Sequence, residues 1–228
     1  MTTTILIIAK NESTGIRRII RSVKPYADEL IVVDGRSTDN TAVLARKENV
    51  RVITDHGKGR GDGVKTGLAA AWGDIVVLFD ADGSHNPKDI PSLTGPISRG
   101  KADLVIGSRR TGGTLDTNRG IDGLIRSLGA DLLAYLVNKR FGTNFTDIIF
   151  SFRALRRSIA PLLNLHSNGF AIEQEMVVSA LKKNVRIVEI PTREFARRWG
   201  RSKLSTTTGF KLLCTLLWQL ASSLKSRH

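Results

Sequence analysis

Apolar residues along this chain follow two alternating periods in its first half and a looser order afterwards. Short β-branched runs at 4–9, 29–34, 50–54, 74–80 and 103–107 read as strands. The segments between them, 13–23, 38–48, 63–72 and 87–98, read as helices, with Thr38 predicted as an N-cap and Pro87 in a first turn. Strands alternating with helices predict an α/β fold built on a mostly parallel, doubly wound sheet. Ligands bind such sheets beyond the carboxyl ends of the strands, and here those ends carry Lys10, Asn11 and Glu12, then Asp34, then Asp80 and Asp82. After Gly107 come a Gly- and Thr-rich loop, a helix over 121–141, a strand near 148–154, a helix over 170–183 and a strand over 185–190. With no linker and no repeat, the pattern predicts one domain over 1–205 and a terminal helix within 206–228.

The terminal segment changes the picture through its charge. From Arg193 onward there are eight Lys and Arg and one acid, Glu194. Phe210, Leu213, Leu217, Leu220 and Leu224 recur at helical spacing, widened by Leu212, Leu216 and Trp218, with Lys211, Thr215 and Gln219 as a polar stripe. That is an amphipathic helix with basic flanks, suited to lying in a membrane interface or packing on a core. Over the whole chain, 35 Lys and Arg against 21 Asp and Glu give a net charge of +14, which favours nucleic acid, phosphorylated metabolites or acidic lipid. A single cysteine, Cys214, excludes an internal disulfide and a cysteine-built zinc site, and its leucine neighbours predict a buried side chain. The start has no basic leader and no apolar stretch reaches membrane-spanning length, so an integral membrane protein is not expected.

Three stretches carry candidate chemistry. Asp80-Ala81-Asp82 follows the apolar run at 75–79, and two carboxylates one residue apart can address one hard cation and the phosphates it bridges. Asp34 ends a strand and enters a tight turn, where it can accept from a base or ribose, whereas Asp39 reads as a satisfier of helix-start amides. The loop His56-Gly57-Lys58-Gly59-Arg60-Gly61-Asp62-Gly63 fits neither the dinucleotide nor the Walker A glycine spacing, which leaves a basic loop able to cover a diphosphate, or a plain surface turn. Of the four histidines, His85 follows the acidic pair, and all four read as surface or turn residues.

In this order, and together with Val105-Ile106-Gly107-Ser108-Arg109, Asp147 to Arg153, Gly169 to Glu175, Glu189-Ile190-Pro191 and Arg197 to Lys203, these stretches resemble the family 2 inverting glycosyltransferases of GT-A fold. The likeness is strongest to the dolichyl-phosphate mannose or glucose synthase branch and covers residues 4 to about 204. Asp147 to Arg153 looks like the family's DxxSGFR, and Arg197 to Lys203 like its RxxGxSK. The chain departs from the pattern at Ala9-Lys10 before Asn11-Glu12, at Asp34-Gly35 where paired acids are usual, and at Gly123 where an arginine would precede Ser127, leaving Arg119 or Arg126 to take that place.

The resemblance implies a metal-dependent hexosyltransferase whose catalytic domain spans 1–205. Asn11, Glu12, Asp34, Lys58, Asp80, Arg197 and Lys203 would bind the nucleoside diphosphate sugar, while Asp80 and Asp82 would hold Mg²⁺ or Mn²⁺. Arg109, Arg126 and Ser127 would take the acceptor phosphate. Asp80, Asp82, Arg109 and Glu175 form the expected catalytic set, with Glu175 and Asp147 orienting the arginines. A phosphate monoester with a second pKa of about 6 is already a nucleophile at neutral pH and needs no general base. The expected partners are a polyprenyl or dolichyl phosphate and an anionic membrane, with no nucleic acid and with room for self-association. The expected location is peripheral, on the cytoplasmic face. Two other readings stay open: a soluble transferase acting on a hydroxyl with Asp147 or Glu175 as base, and a non-catalytic nucleic-acid binder drawn by the charge.

Overall fold

The computed structural model describes residues 1–115, 121–199 and 206–221. Seven strands form one sheet: β1 (Thr3–Ala9), β2 (Glu29–Asp34), β3 (Arg51–Thr54), β4 (Ile75–Asp80), β5 (Leu104–Ser108), β6 (Arg153–Arg156) and β7 (Ile187–Pro191). Their order is β3-β2-β1-β4-β6-β5-β7, parallel except for β6, which runs antiparallel between β4 and β5. The helices are α1 (Ile16–Val23), α2 (Thr41–Arg46), α3 (Arg60–Ala70), α4 (Ile90–Ser98), α5 (Arg109–Gly112), α6 (Ile121–Phe141), α7 (Ala160–Leu163), α8 (Ile172–Lys182) and α9 (Thr206–Ala221).

Side chains alternate across a strand, so a parallel sheet covered on both faces needs apolar residues at nearly every position. In β1, Ile5 and Ile7 point to the layer of α1, α2 and α4, while Leu6 points to the layer of α3, α6, α8 and α9. The parallel register aligns Ala9 with Asp34 and Ile8 with Asp80, bringing the carboxyl ends of β1, β2 and β4 to one edge. Close packing of α3 on this sheet requires Gly67, where an added Cβ would stand 2.8 Å from Leu6 and 3.0 Å from Val33.

The strand expected near 148–154 starts later, at Arg153, and the reason is that side chain. Arg153 is fully buried; its Nε donates to the Phe150 carbonyl, its Nη1 to that of Glu173, and its Nη2 to those of Ile148 and Phe150. It thereby curls residues 148–152 into a loop over the sheet edge and ties that loop to the start of α8. Burial depresses its pKa to about 10, so it stays charged at neutral pH.

Other expectations are corrected. Thr38 is not a cap: its amide donates to Asn11 Oδ1, and α2 begins three residues later. Asp39 satisfies the amides of Thr41 and Ser13, as expected; burial works to raise its pKa, but those bonds hold it at about 2. The terminal helix packs on α6 and α8, one of the two arrangements its pattern allows, with a different face inward from the one expected. Its Leu212 and Leu216 join the core, Gln219 of the expected polar stripe is buried, and Cys214 is exposed. The helix is therefore rotated from the phase that leucine spacing suggests, because Gln174 Nε2 donates to the Leu212 carbonyl and Lys182 Nζ to the Gln219 carbonyl.

Arg153→Met would keep the side-chain length but remove the guanidinium donors from three carbonyls. We expect a loss of about 3 kcal/mol, read as a lower urea midpoint at unchanged slope.

Candidate active site

Beyond the carboxyl ends of β1 and β4 lies a cavity of about 400 Å³, a size within the range of small-ligand sites. Lys10, Glu12, Gly35 and Asp55, which follow β1, β2 and β3, line it together with Asp80, Ala81, Asp82 and Ser84 at the end of β4. Arg60, Arg109, Phe150, Glu173, Glu194 and Arg197 line the rest.

Asp80 ends β4 and is held on two sides. Its Oδ2 accepts from the Ser151 hydroxyl at 2.7 Å, and its Oδ1 lies 2.8 Å from Arg60 Nη1. Behind Ser151 stands His85, which is buried, contrary to the surface role expected of it. His85 is stacked on Phe152 at 4.5 Å and edge-on to Phe79 and Phe150. Its Nδ1 accepts the Asp80 backbone N–H, so the ring proton sits on Nε2 and donates to Ser151. Burial lowers the His85 pKa and keeps the ring neutral. Burial would raise that of Asp80, but Arg60 and the Ser151 hydrogen bond hold it below the usual carboxylate range.

Asp82 lies on the turn. Its Oδ1 accepts from the amide and hydroxyl of Ser84, and its Oδ2 meets Arg197 Nη2 at 2.9 Å. The segment 194–199 straps across this turn: Phe195 N donates to the Ser84 carbonyl, Arg198 N to that of Asp82 and Trp199 Nε1 to that of Ala81. The indole ring lies on Gly15, where an added Cβ would be 1.8 Å from it.

Arg109 opens α5 directly after β5. Asp147 grips it in a bidentate pair at 2.7 and 3.1 Å, Glu194 approaches at 3.5 Å, and the guanidinium lies over Phe150. Burial opposes its charge, but Asp147 and Glu194 outweigh that and raise its pKa further. Asp147 thus orients Arg109, as expected from sequence.

Of the other expected site residues, Glu12 and Arg197 line the cavity. Asp34 lies buried beneath Gly35, with Oδ2 accepting from Ser37 N and Oδ1 without a hydrogen bond. Four placements differ from expectation. The Asn11 side chain is engaged by the Thr38 amide, and Lys58 lines a neighbouring shallow groove with His56 and Asp62. Ser127 receives Arg110 rather than facing the cavity. Glu175 does not reach the arginines, because its carboxylate accepts the amides of His166 and Ser167. It secures the loop whose Asn168 carbonyl receives the amides of Gly61 and Asp62, and so supports the glycine-rich loop from behind. The Arg126 side chain, Arg119 and Lys203 lie outside the described residues.

Sequence reasoning missed Arg60 and Glu173 as cavity residues. Arg60 Nε donates to Glu173 Oε1 at 2.5 Å. Helical spacing offers no signal here, since Glu173 and Glu175 share one first turn and only packing decides which of them faces the cavity.

The acidic pair suits a hard divalent cation. No group of three His, Cys, Asp or Glu converges among the described residues, so two carboxylates would serve as the protein ligands and phosphate oxygens would complete the sphere. Arg197 on Asp82 Oδ2 shows that this oxygen already attracts positive charge.

Residues 4–161 match the sequence model of glycosyl transferase family 2. The chain belongs to that family. It is a transferase, and its GT-A fold agrees with solved relatives. It is 31% identical over 218 residues to the undecaprenyl-phosphate mannosyltransferase of Micrococcus luteus, covering 89% of this chain and 86% of that one. It is 27% identical over 238 residues to a UDP-N-acetylglucosamine–dolichyl-phosphate N-acetylglucosaminyltransferase of Methanococcus voltae, covering 93% and 94%. Among solved structures it resembles the glucosyl-3-phosphoglycerate synthase of Mycobacterium tuberculosis, in complex with Mn²⁺, UDP and glucosyl-3-phosphoglycerate, at 25% identity and a TM-score of 0.77, covering 96% of this chain and 80% of that one.

Gly15→Ala should displace Trp199 and loosen the strap. Overpacking of this kind costs about 1–3 kcal/mol, so trypsin should cut at Arg197 and Arg198 roughly tenfold faster while the global melt moves less than that of Arg153→Met.

Proposed function

We propose that this family 2 glycosyltransferase moves a hexose, mannose or glucose, from a nucleoside diphosphate sugar to a polyprenyl or dolichyl phosphate. The observation that carries the reading is the pairing of carboxylates with arginines around the cavity. Asp80 and Glu173 meet Arg60, Asp82 meets Arg197, and Asp147 and Glu194 meet Arg109. Arg60 and the Ser151 hydrogen bond keep Asp80 below the usual carboxylate range despite its burial, so it is a weak base and ill suited to deprotonating a hydroxyl acceptor. A phosphate monoester needs no such base, and Arg109 is oriented to bind one. Asp82, with Asp80 beside it, would hold Mg²⁺ or Mn²⁺, which supplies Lewis-acid stabilisation to the leaving diphosphate. The relatives acting on undecaprenyl and dolichyl phosphates support this acceptor class.

A second reading, transfer to a hydroxyl of a small phosphorylated metabolite, is favoured by the glucosyl-3-phosphoglycerate synthase likeness. One assay separates the two. Purified protein is given labelled UDP-glucose or GDP-mannose, with a short polyprenyl phosphate or 3-phosphoglycerate, and the product is partitioned between organic and aqueous phases. We expect a mild-acid-labile product in the organic phase, abolished by excess EDTA and in Asp82→Ala. Label confined to water-soluble glycosides rejects the lipid acceptor, and full activity in EDTA rejects the metal.

We place the enzyme on the cytoplasmic face of a membrane, with α9 and α6 against it. No helix among the described residues is long and apolar enough to cross a bilayer. Phe210 and Trp218 of α9 are 68% and 71% exposed, and Leu128 and Tyr135 of neighbouring α6 are 59% and 57% exposed. Lys211, Lys139 and Arg140 flank this apolar strip and would favour an anionic leaflet, at about 1 kcal/mol each. Because Leu212 lines the cavity, deleting the tail would also damage the site. The outward residues are the better target: Phe210→Ser with Leu217→Ser and Trp218→Ser should reduce flotation with anionic liposomes at least roughly tenfold while preserving the melt. Equal flotation of both proteins would show that this face is not the anchor.

A further inference from the structure

Two buried arginines stand near the cavity, and they differ in one respect. Arg153 has every guanidinium nitrogen bonded to a backbone carbonyl, as a structural clamp should. Arg60 does not. Its Nε donates to Glu173 and its Nη1 lies against Asp80, but its Nη2 is buried with no hydrogen-bond partner. The side chain is 13% exposed and lines the cavity. A buried donor left unpaired is costly, so an oxygen arriving at Nη2 would be bound with a corresponding gain.

The guanidinium is rigidly aimed. Arg60 is the first residue of α3, directly after Gly59 at φ +122°, a backbone conformation that favours glycine. The amide of Gly61 donates to the Asn168 carbonyl at 2.7 Å. On the other side, Arg153 Nη1 holds the Glu173 carbonyl at 2.8 Å, which fixes the start of α8 and with it the carboxylate that grips Nε.

Its position identifies what it would meet. Asp55, Gly35 and Lys10 follow β3, β2 and β1 in sheet order, Asp80 ends the next strand, β4, and Arg60 meets Asp80 and Glu173 there in the same cavity. A nucleotide sugar laid with its nucleoside among the first group and its diphosphate on the turn presents its sugar to Arg60. With the diphosphate on the acidic turn, the free edge of Arg60 at Nη2 is left for an uncharged oxygen of the sugar. We infer that Arg60 is a specificity-determining residue whose Nη2 donates a hydrogen bond to a hydroxyl oxygen of the sugar being transferred. This rests on the nucleotide-sugar reading above and is independent of the acceptor.

Arg60→Lys retains the charge between Asp80 and Glu173 but removes the planar fork. Calorimetric titration of wild type and R60K, in Mn²⁺, with UDP against UDP-glucose and GDP against GDP-mannose reads the sugar's contribution separately from that of the diphosphate. We expect R60K to bind UDP and GDP within about twofold of wild type and at least one of the sugar nucleotides roughly tenfold more weakly. Equal losses for nucleotide and sugar nucleotide would make Arg60 a structural residue only, and equal retention would show that it does not touch the sugar; either overturns the inference. A series of UDP-deoxyglucoses and GDP-deoxymannoses on wild type needs no variant. At least one analogue must bind about tenfold more weakly than its parent, and full binding by all of them overturns the inference even if R60K fails to fold. Wild type that binds none of the four nucleotides would instead overturn the nucleotide-sugar reading itself.

Discussion

Buried negative charge is the constraint on which this molecule depends. A parallel sheet brings the carboxyl ends of its strands to one edge, and here that edge carries Asp34 and Asp80, with Asp82 on the following turn. Acids removed from water are stable only beside cations or dense hydrogen bonds. The chain supplies the cations from distant places: Arg60 from the glycine-rich loop, Arg197 from the strap and Arg109 from the turn after β5. Each guanidinium that stabilises an acid also ties a separate segment to the cavity wall.

The same pairing sets the chemistry. Asp80, kept ionised by Arg60 against the effect of burial, is suited to holding a cation and is not poised to take a proton. His85 follows the same logic without charge. Caged by three phenylalanines and kept neutral by burial, it passes a hydrogen bond through Ser151 to Asp80 and fixes the side of that carboxylate away from Arg60. The position of Asp80 is therefore set from both directions before any ligand arrives, which is the preorganisation that charge stabilisation requires.

Asp82 is held more loosely. Its Oδ2 is met by an arginine from a strap attached through three backbone-carbonyl bonds and one indole ring on a glycine.

The sequence by itself determined the strand ends and the identity of the acidic turn, because both follow from local order. An apolar run such as that at 75–79 must be buried on both faces, and whatever polar residue follows it must emerge at the edge. The pairing of Arg109 with Asp147 was legible through the family's motifs. Tertiary structure alone decided which charges meet. Glu173 and Glu175 are both acids of one helical turn, yet packing sends the first to the cavity and the second to loop amides. Arg60 reads in sequence as one more basic residue of a glycine-rich loop, and its burial arises only when α3 and α8 come together. The phase of α9 was hidden likewise: leucine surrounds most of that helix, so hydrophobicity could not choose the inward face, and the side chains of Gln174 and Lys182 chose it by bonding to its carbonyls. Periodicity is a property of neighbours in the chain, whereas compensation of a buried charge is a property of neighbours in space.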